Sequence, residues 1–148
     1  MGQILIQETD FQKARNRIRE AEKQGKQVIF SSKDDELNRK ILEKEKIDVL
    51  LLQLSDRRDK QKQRDSGFNQ VMAKAAKKNN ISIGINFNEI INANTKEKAD
   101  ILARIRQNIA LCSKNKLKMS FFPELKDKYD LKSLGLVLGM PTWMTKNI

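Results

Sequence analysis

Short apolar segments alternate with amphipathic segments along the whole chain, and this alternation limits the possible folds more than any other feature. The clearest strand runs from Val49 to Leu52 and extends to Leu54. Its unbroken apolar character indicates burial on both faces, as in a parallel sheet. Four further strands are predicted at residues 4–6, 28–30, 81–87 and 117–122. Strands separated by helices of about 10–15 residues are typical of βαβ units and a largely parallel sheet.

Five helices are predicted from apolar residues spaced three or four positions apart. Thr9 and Gln12 form a capping box at the start of the first helix, and Asn94 and Glu97 form another before the fourth. The apolar residues of the third helix are Phe68, Val71, Met72, Ala75 and Ala76. The second and fifth helices are predicted at residues 32–45 and 130–139.

These elements define the fold class. Five strands and five helices are too few for a complete eight-stranded barrel, which needs roughly 200 residues or more. The chain is therefore predicted to be a single α/β domain, residues 1–148, in which parallel strands with flanking helices form either a partial TIM-like barrel or an open sheet.

Composition indicates the kind of partner. Thirty Lys and Arg against nineteen Asp and Glu leave a net charge of +11, which predicts nucleic acid or, second, an acidic membrane surface. There is no histidine, which excludes hydrolases that depend on histidine-rich metal clusters or Ser-His and Cys-His pairs. A single cysteine excludes an intrachain disulfide and a Cys-based zinc site. With no apolar run of about 18 residues and no signal-peptide pattern, we expect a cytoplasmic protein without a membrane span.

The most informative segment is the basic loop, residues 55–67, which directly follows the clearest strand. Its cations are Arg57, Arg58, Lys60, Lys62 and Arg64. The carboxyl edge of an α/β sheet is where sites usually lie, and arginine forks match the geometry of a phosphate. The loop has no predicted core position, so replacing all five cations is expected to spare the fold. The alternative is a solvated loop without a partner.

Two further groups of lysines could extend a phosphate-binding surface. They are Lys74, Lys77 and Lys78 on the third helix and Lys114, Lys116 and Lys118 after the fourth. Taken singly, each is typical of an ordinary solvated surface. The few aromatic residues lie mostly in core-like positions, which favours recognition of the backbone and shape of a folded RNA over base stacking. Pairs such as Asp34 with Asp35 could hold magnesium, but helix capping explains them at least as well.

Three segments carry a resemblance to a known family. Residues 133–140, SLGLVLGM, resemble the ending of ribonuclease P protein component 3, the archaeal relative of the eukaryotic thirty-kilodalton subunit. Residues 65–74, DSGFNQVMAK, resemble that family's D-x-G-[IF]-[DN]-x-V-[LM]-A-K stretch. The strand ISIGINF with the following NEII resembles its next strand and exit loop. The resemblance covers about residues 45–140.

The resemblance implies a PHP-like barrel that has lost its metal site. Such a protein would be a non-catalytic subunit of ribonuclease P, inactive alone, supporting the catalytic RNA as it removes the 5′ leader of precursor tRNA. The implied partners are the ribonuclease P RNA, precursor tRNA in the holoenzyme and ribonuclease P protein component 2. Magnesium would belong to the RNA, and this chain would bind no cofactor. Family basic positions carry over only to Arg57, Arg58 and Lys74.

The chain also departs from the family pattern. It is shorter than the family norm and is expected to lack the family's first strand–helix unit, and Phe121-Phe122-Pro123 replaces the expected serine-rich turn. Two other interpretations stay open: a PHP-type phosphoesterase, against which the absence of histidine argues, and a basic α/β module that binds ribosomal RNA or another structured RNA. Composition alone does not separate the last from a ribonuclease P subunit.

Overall fold

A computed structural model describes residues 2–123 and 127–148, and these form five strands and seven helices. The strands are β1 (Gln3–Gln7), β2 (Gln27–Ser31), β3 (Val49–Leu52), β4 (Ser82–Asn86) and β5 (Met119–Phe122). The helices are α1 (Phe11–Lys23), α2 (Asp35–Lys44), α3 (Gln70–Lys78), α4 (Phe87–Asn92), α5 (Thr95–Lys114), α6 (Lys128–Leu138) and α7 (Thr142–Thr145). No helix within these ranges is both long and apolar enough to cross a membrane.

The five strands form one parallel sheet in the order β1-β2-β3-β4-β5. A sheet whose neighbours follow chain order, with right-handed connections, carries its connecting helices on one face. This is the arrangement of a (β/α) barrel, of which the five strands supply a part. The predicted α/β class with a partial parallel barrel is confirmed.

Side chains alternate between the two faces of the sheet. On one face, Phe30, Leu50 and Ile83 are fully buried and belong to the large core shared with the helices. On the other face, a separate cluster contains Ile29, Val49, Leu51, Leu5 and Phe122. Because both clusters include side chains of β3, this strand is buried on both faces, as its unbroken apolar run predicts.

Gly84 keeps the second cluster compact. A Cβ atom at this position would lie 3.0 Å from side-chain atoms of both Val49 and Leu51. Glycine in a strand interior often marks a close approach of this kind. The helix-free face of the sheet is therefore packed tightly by its own strands.

Several helix boundaries differ from the sequence predictions. Asp10, and not Thr9, caps α1, because its carboxylate accepts the Lys13 N–H at 3.0 Å. The predicted cap at Asn94 is confirmed: its side chain accepts the Glu97 N–H at 2.9 Å. The fifth predicted helix begins at Lys128, two residues before Asp130. Carboxylates compete for cap positions, so spacing alone does not identify which one caps.

The predicted apolar face of the third helix is partly wrong. Phe68 precedes α3, which begins after its cap residue Asn69, and Val71 is 53% exposed. The buried residues of α3 are Met72, Ala73 and Ala76, so the helix turns Ala73 toward the core where the spacing predicted Val71. Two helices, α4 and α7, were not predicted, because six and four residues are too few to show a helical period.

Candidate nucleic-acid interface

The basic loop leaves β3 at the carboxyl edge of the sheet and is fixed by a buried arginine. Arg57 has an 8% exposed side chain, and its two terminal nitrogens each donate to a different Asp35 oxygen at 2.9 Å. Its Nη1 also donates to Asp65 at 3.1 Å, and its Nε donates to the Gln53 carbonyl at 2.6 Å. The expectation that this loop has no core position is therefore wrong.

Burial by itself lowers the pKa of Arg57, but bonds and charges outweigh it. The hydrogen bond and charge of Asp35, followed by those of Asp65, favour the protonated guanidinium, so its pKa is raised overall. A bidentate arginine–carboxylate fork has fixed geometry as well as charge. Arg57 thus ties the loop to the start of α2.

Gly67 allows this arrangement at the other end of the loop. Its φ of +70° is one that side-chain-bearing residues rarely adopt, and a Cβ atom here would overlap the Arg57 guanidinium. Asp65 contributes from the same motif, because its carboxylate accepts the Gly67 N–H at 3.1 Å as well as the bond from Arg57. The aspartate and glycine of the D-x-G stretch therefore have a structural role in this chain.

A second buried arginine holds the first half of the loop from α5. Arg104, with a 5% exposed side chain, donates to the carbonyls of Leu54 and Arg57, both at 2.9 Å, and to the Asp59 carboxylate at 3.3 Å. Sequence reasoning missed this residue. The sequence signal that could have identified Arg104 is its position three residues after Ile101 on an apolar helix face. A charged side chain at such a position needs a buried partner.

Other contacts fix both ends of the loop. Glu89 of α4 accepts hydrogen bonds from the Leu54 N–H, at 3.0 Å, and from the N–H and hydroxyl of Ser55, at 2.8 and 2.6 Å. Asn108 of α5 donates to the carbonyl of Ser66 at 3.2 Å. Ser66 is itself buried, a second core position in a loop predicted to have none.

Asp59 stabilises the middle of the loop through hydrogen bonds to its carboxylate. Its carboxylate accepts the Asp65 N–H at 2.8 Å. This bond, together with the Arg104 side chain, holds the pKa of Asp59 below its usual range. Since the ionised form accepts these bonds, Asp59 is a fixed acceptor at neutral pH and adds negative charge inside the loop.

The other four loop cations point outward. Arg58, Lys60, Lys62 and Arg64 are exposed, and none of them forms an ion pair with a carboxylate in residues 2–123 or 127–148. Three of them line an open cleft of about 330 Å³ beside the start of α3, namely Arg58, Lys60 and Arg64. The structure thus divides the five predicted cations into one internal anchor and four solvent-facing charges.

The predicted lysines lie elsewhere. Lys77, Lys116 and Lys118, which we call the lysine cluster, line a cavity of about 60 Å³ beside the amino ends of β4 and β5. The Lys77 ammonium donates to the Lys116 carbonyl at 3.1 Å. Lys74 and Lys78 are exposed on α3, and Lys114 is exposed at the end of α5. The basic loop and the lysine cluster therefore lie at opposite ends of the sheet.

The candidate metal and thiol groups have structural roles. Asp34 caps α2, and Asp127 caps α6 by accepting the Tyr129 N–H at 3.0 Å. Across the described ranges, no group of three or more Asp, Glu or Cys side chains is placed to hold a metal ion. Cys112 is buried, and this burial raises the pKa of its thiol to about 12, so it stays protonated at neutral pH.

Comparisons with known proteins identify relatives of this chain. Ribonuclease P protein component 3 of Methanothermobacter thermautotrophicus is 23% identical over 137 residues, which cover 93% of this chain and 54% of the relative. The same component of Methanosarcina mazei is 27% identical over 106 residues, covering 72% of this chain and 41% of the relative. The chain thus spans about half the length of the relatives that it matches.

A solved structure shares the fold. In the cryo-EM structure of archaeal ribonuclease P with mature tRNA, one chain superposes with a TM-score of 0.79 at 21% identity, covering 96% of this chain and 62% of that one. This likeness is one of fold. The model of the family described as RNase P subunit p30 matches residues 3–148, nearly the whole sequence. The chain therefore belongs to the RNase P subunit p30 family.

Proposed function

We propose that this chain is an RNA-binding protein subunit of ribonuclease P and supports the catalytic RNA in removing the 5′ leader of precursor tRNA. The observation that carries the proposal is the basic loop, in which buried arginines fix the backbone and four cations face solvent. Family membership and the shared fold of the archaeal ribonuclease P chain give it independent support.

A fixed loop suits the binding of a phosphate backbone. Cations that neutralise phosphates release condensed counterions, and this term supplies much of the affinity of such complexes. Here Arg57 and Arg104 order the loop before any RNA binds, so less conformational entropy is lost in the complex. The loop can therefore present its charges in one arrangement and recognise the shape of a folded RNA.

The proposal assigns the hydrolysis to the RNA. This chain binds no cofactor in this scheme, and the magnesium ions belong to the RNA subunit. The carboxylates that could have held a metal cap helices or bind arginines instead, as Asp34 and Asp35 do. In the same scheme the protein acts in the cytoplasm, where it meets the ribonuclease P RNA and precursor tRNA.

We also propose that ribonuclease P protein component 2 binds beside β5 and α6. Three large side chains on α6 are unusually exposed: Tyr129 at 81%, Leu136 at 50% and Val137 at 73%. Strand β5 is an edge of the sheet, and exposed apolar side chains beside an edge strand are commonly covered by a partner. In a pull-down, Leu136→Glu with Val137→Glu is expected to abolish binding of component 2, whereas Lys13→Glu, an equal change of charge at an exposed position on α1, is expected to retain it.

Reconstitution tests the main proposal. Purified protein is expected to raise cleavage of precursor tRNA by the ribonuclease P RNA at moderate magnesium, and to cleave nothing alone. Metal-dependent cleavage by protein free of RNA would contradict it and favour the phosphoesterase interpretation. Sequencing of RNA that copurifies with the native protein separates the remaining alternative, since recovery of ribosomal RNA in place of ribonuclease P RNA would assign the chain to a different complex.

A further inference from the structure

The lysine cluster has the properties of a second phosphate-binding surface. Lys116 lies in the turn after α5 and Lys118 directly precedes β5, while Lys77 extends from the last turn of α3. The bond from the Lys77 ammonium to the Lys116 carbonyl, 3.1 Å long, links the two elements. The Lys116 ammonium also lies 5.7 Å from the centre of the Trp143 ring, so its side chain has a preferred position.

The charge of the cluster is not balanced locally. All three lysines are exposed, and none forms an ion pair with a carboxylate among residues 2–123 and 127–148. Like charges that line one small cavity repel each other, and a bound anion relieves this repulsion. Lysine binds phosphate as a compact point charge with three donors, without the planar constraint of arginine.

The size of the cavity indicates what it can receive. At about 60 Å³ it is far smaller than the roughly 300–1,000 Å³ of sites that enclose small organic ligands. A single phosphate group fits, with the rest of the molecule outside. Trp143 is half-buried, and Lys116 lies over the ring face on which a base would stack. The surface therefore suits a polymer backbone and makes no contact that would read its sequence.

This surface is too far from the basic loop to contact the same phosphate. Strand β4 has five residues, and a parallel strand rises about 3.3 Å per residue, so the two ends of the sheet are about 17 Å apart. The loop follows β3 at the carboxyl end, and the lysines surround the amino ends of β4 and β5. Occupying both surfaces therefore requires phosphates that lie about 17 Å apart in the folded RNA.

We infer that the lysine cluster binds a second segment of RNA backbone, so that the protein bridges two segments of its RNA. This inference rests on the proposed function, because it takes ribonuclease P RNA as the partner. It adds that the protein holds two parts of the folded RNA at a fixed separation. Such a bridge stabilises the RNA fold to the extent that the protein binds the folded RNA more tightly than the unfolded RNA.

Backbone footprinting of the ribonuclease P RNA with the full chain tests the inference. The cluster variant is Lys77→Gln, Lys116→Gln and Lys118→Gln; the loop variant is Arg58→Gln, Lys60→Gln and Arg64→Gln. A control with equal loss of charge is Lys13→Gln, Lys23→Gln and Lys40→Gln, which are exposed on α1 and α2. Wild type is expected to protect two separate segments. The cluster variant is expected to lose one, the loop variant the other, and the control neither.

The salt dependence of binding gives a second measure. Loss of three phosphate contacts is expected to flatten the log–log slope of affinity against salt by about 2 to 3 units in the cluster variant. Circular dichroism and thermal melting of every variant check that the fold is retained. A cluster variant that matches the control in slope and in both footprints would overturn the inference.

The other outcomes separate the two proposals. A wild-type chain that protects one segment, lost only in the loop variant, overturns the bridge and leaves the proposed function intact. A wild-type chain that protects no segment contradicts the proposed function and the bridge with it. If the cluster variant keeps both footprints but fails to bind a purified protein component, the lysines are a protein-docking surface, and the inference is wrong.

Discussion

The basic loop and the lysine cluster have similar charge but are built in different ways. The loop is an irregular segment held by two buried arginines, which bind carboxylates and backbone carbonyls. The lysines of the cluster project from a helix and from the turn before a strand, so the main elements of the fold position them. In the loop, the Arg57 and Arg104 charges are buried and maintain structure, whereas in the cluster all three lysines are exposed, although Lys77 also donates to the Lys116 carbonyl.

The number of cations in a segment therefore does not equal the number of cations that can contact RNA. Arg57 and Arg104 offer almost no surface to a partner, since their side chains are 8% and 5% exposed. Their effect on RNA is indirect, through the shape of the loop. Substitutions that remove anchors are thus expected to change stability, and substitutions that remove exposed cations are expected to change binding.

The largest expected effect on stability comes from Arg104→Met. The change leaves the carbonyls of Leu54 and Arg57 without their donor, and hydrogen bonds to charged groups contribute about 1.5–3 kcal/mol each. We expect a loss of about 3 kcal/mol in the free energy of unfolding, measured by urea denaturation. Arg106→Met, an exposed arginine on the same helix, is the control and is expected to change it by less than about 0.5 kcal/mol. Equal stability of the two variants would contradict the role of Arg104 as an anchor.

Gly67→Ala is expected to have the next largest effect. Gly67 and Gly25 have nearly the same φ, +70° and +69°, but only Gly67 has the Arg57 guanidinium where a Cβ atom would lie. Backbone strain of this kind costs about 1–3 kcal/mol and applies to both positions. Gly67→Ala is therefore expected to lower the free energy of unfolding by at least about 1 kcal/mol more than Gly25→Ala. Equal losses of unfolding free energy in the two variants would mean that the loop shifts to accommodate the added methyl group.

The contacts of Arg57 and Arg104 also show what could not be predicted from the sequence. The strands, the parallel sheet and the exposed lysines were predictable, because apolar runs and helical spacing report on local structure and burial. The partners of Arg57 lie 22 and 8 residues away, at Asp35 and Asp65, and no spacing rule connects them. Arg104 was visible as a charge on an apolar helix face, but its acceptors are backbone carbonyls, which the sequence does not distinguish.

A smaller effect on the free energy of unfolding is expected when the pH is lowered. The pKa of Asp59 is lowered in the folded protein, so its ionised form stabilises the fold above the ordinary value of 3.8, and this contribution is lost as the pH falls through the lower, folded value. Asp59→Asn is expected to reduce the decline in unfolding free energy as the pH falls from about 5 to about 2. Asp100→Asn, at an exposed position on α5, is expected to keep the wild-type decline. If the unfolding free energy of Asp59→Asn declined with pH as it does in wild type, Asp59 would not be one of the residues that anchor the loop.

The smallest expected effect on stability belongs to the four outward cations. Replacing Arg58, Lys60, Lys62 and Arg64 with Gln is expected to change the free energy of unfolding by no more than about 0.5 kcal/mol per position, since surface changes away from specific contacts cost little. The same variant is expected to flatten the salt slope of RNA binding by about 3 units, at 0.7 to 0.9 per lost contact.

Adding Arg57→Gln to this variant separates the two kinds of cation. The fifth change leaves Asp35 and Asp65 without their shared partner, so the sequence-based expectation that all five replacements spare the fold no longer holds. We expect a clear drop in unfolding free energy with no further flattening of the salt slope beyond the four-fold variant, because the Arg57 guanidinium is already neutralised by Asp35 and Asp65. Urea denaturation and salt titrations of both variants measure these quantities. A further flattening by about one unit, without loss of stability, would show that Arg57 contacts RNA directly and that the loop opens when it binds.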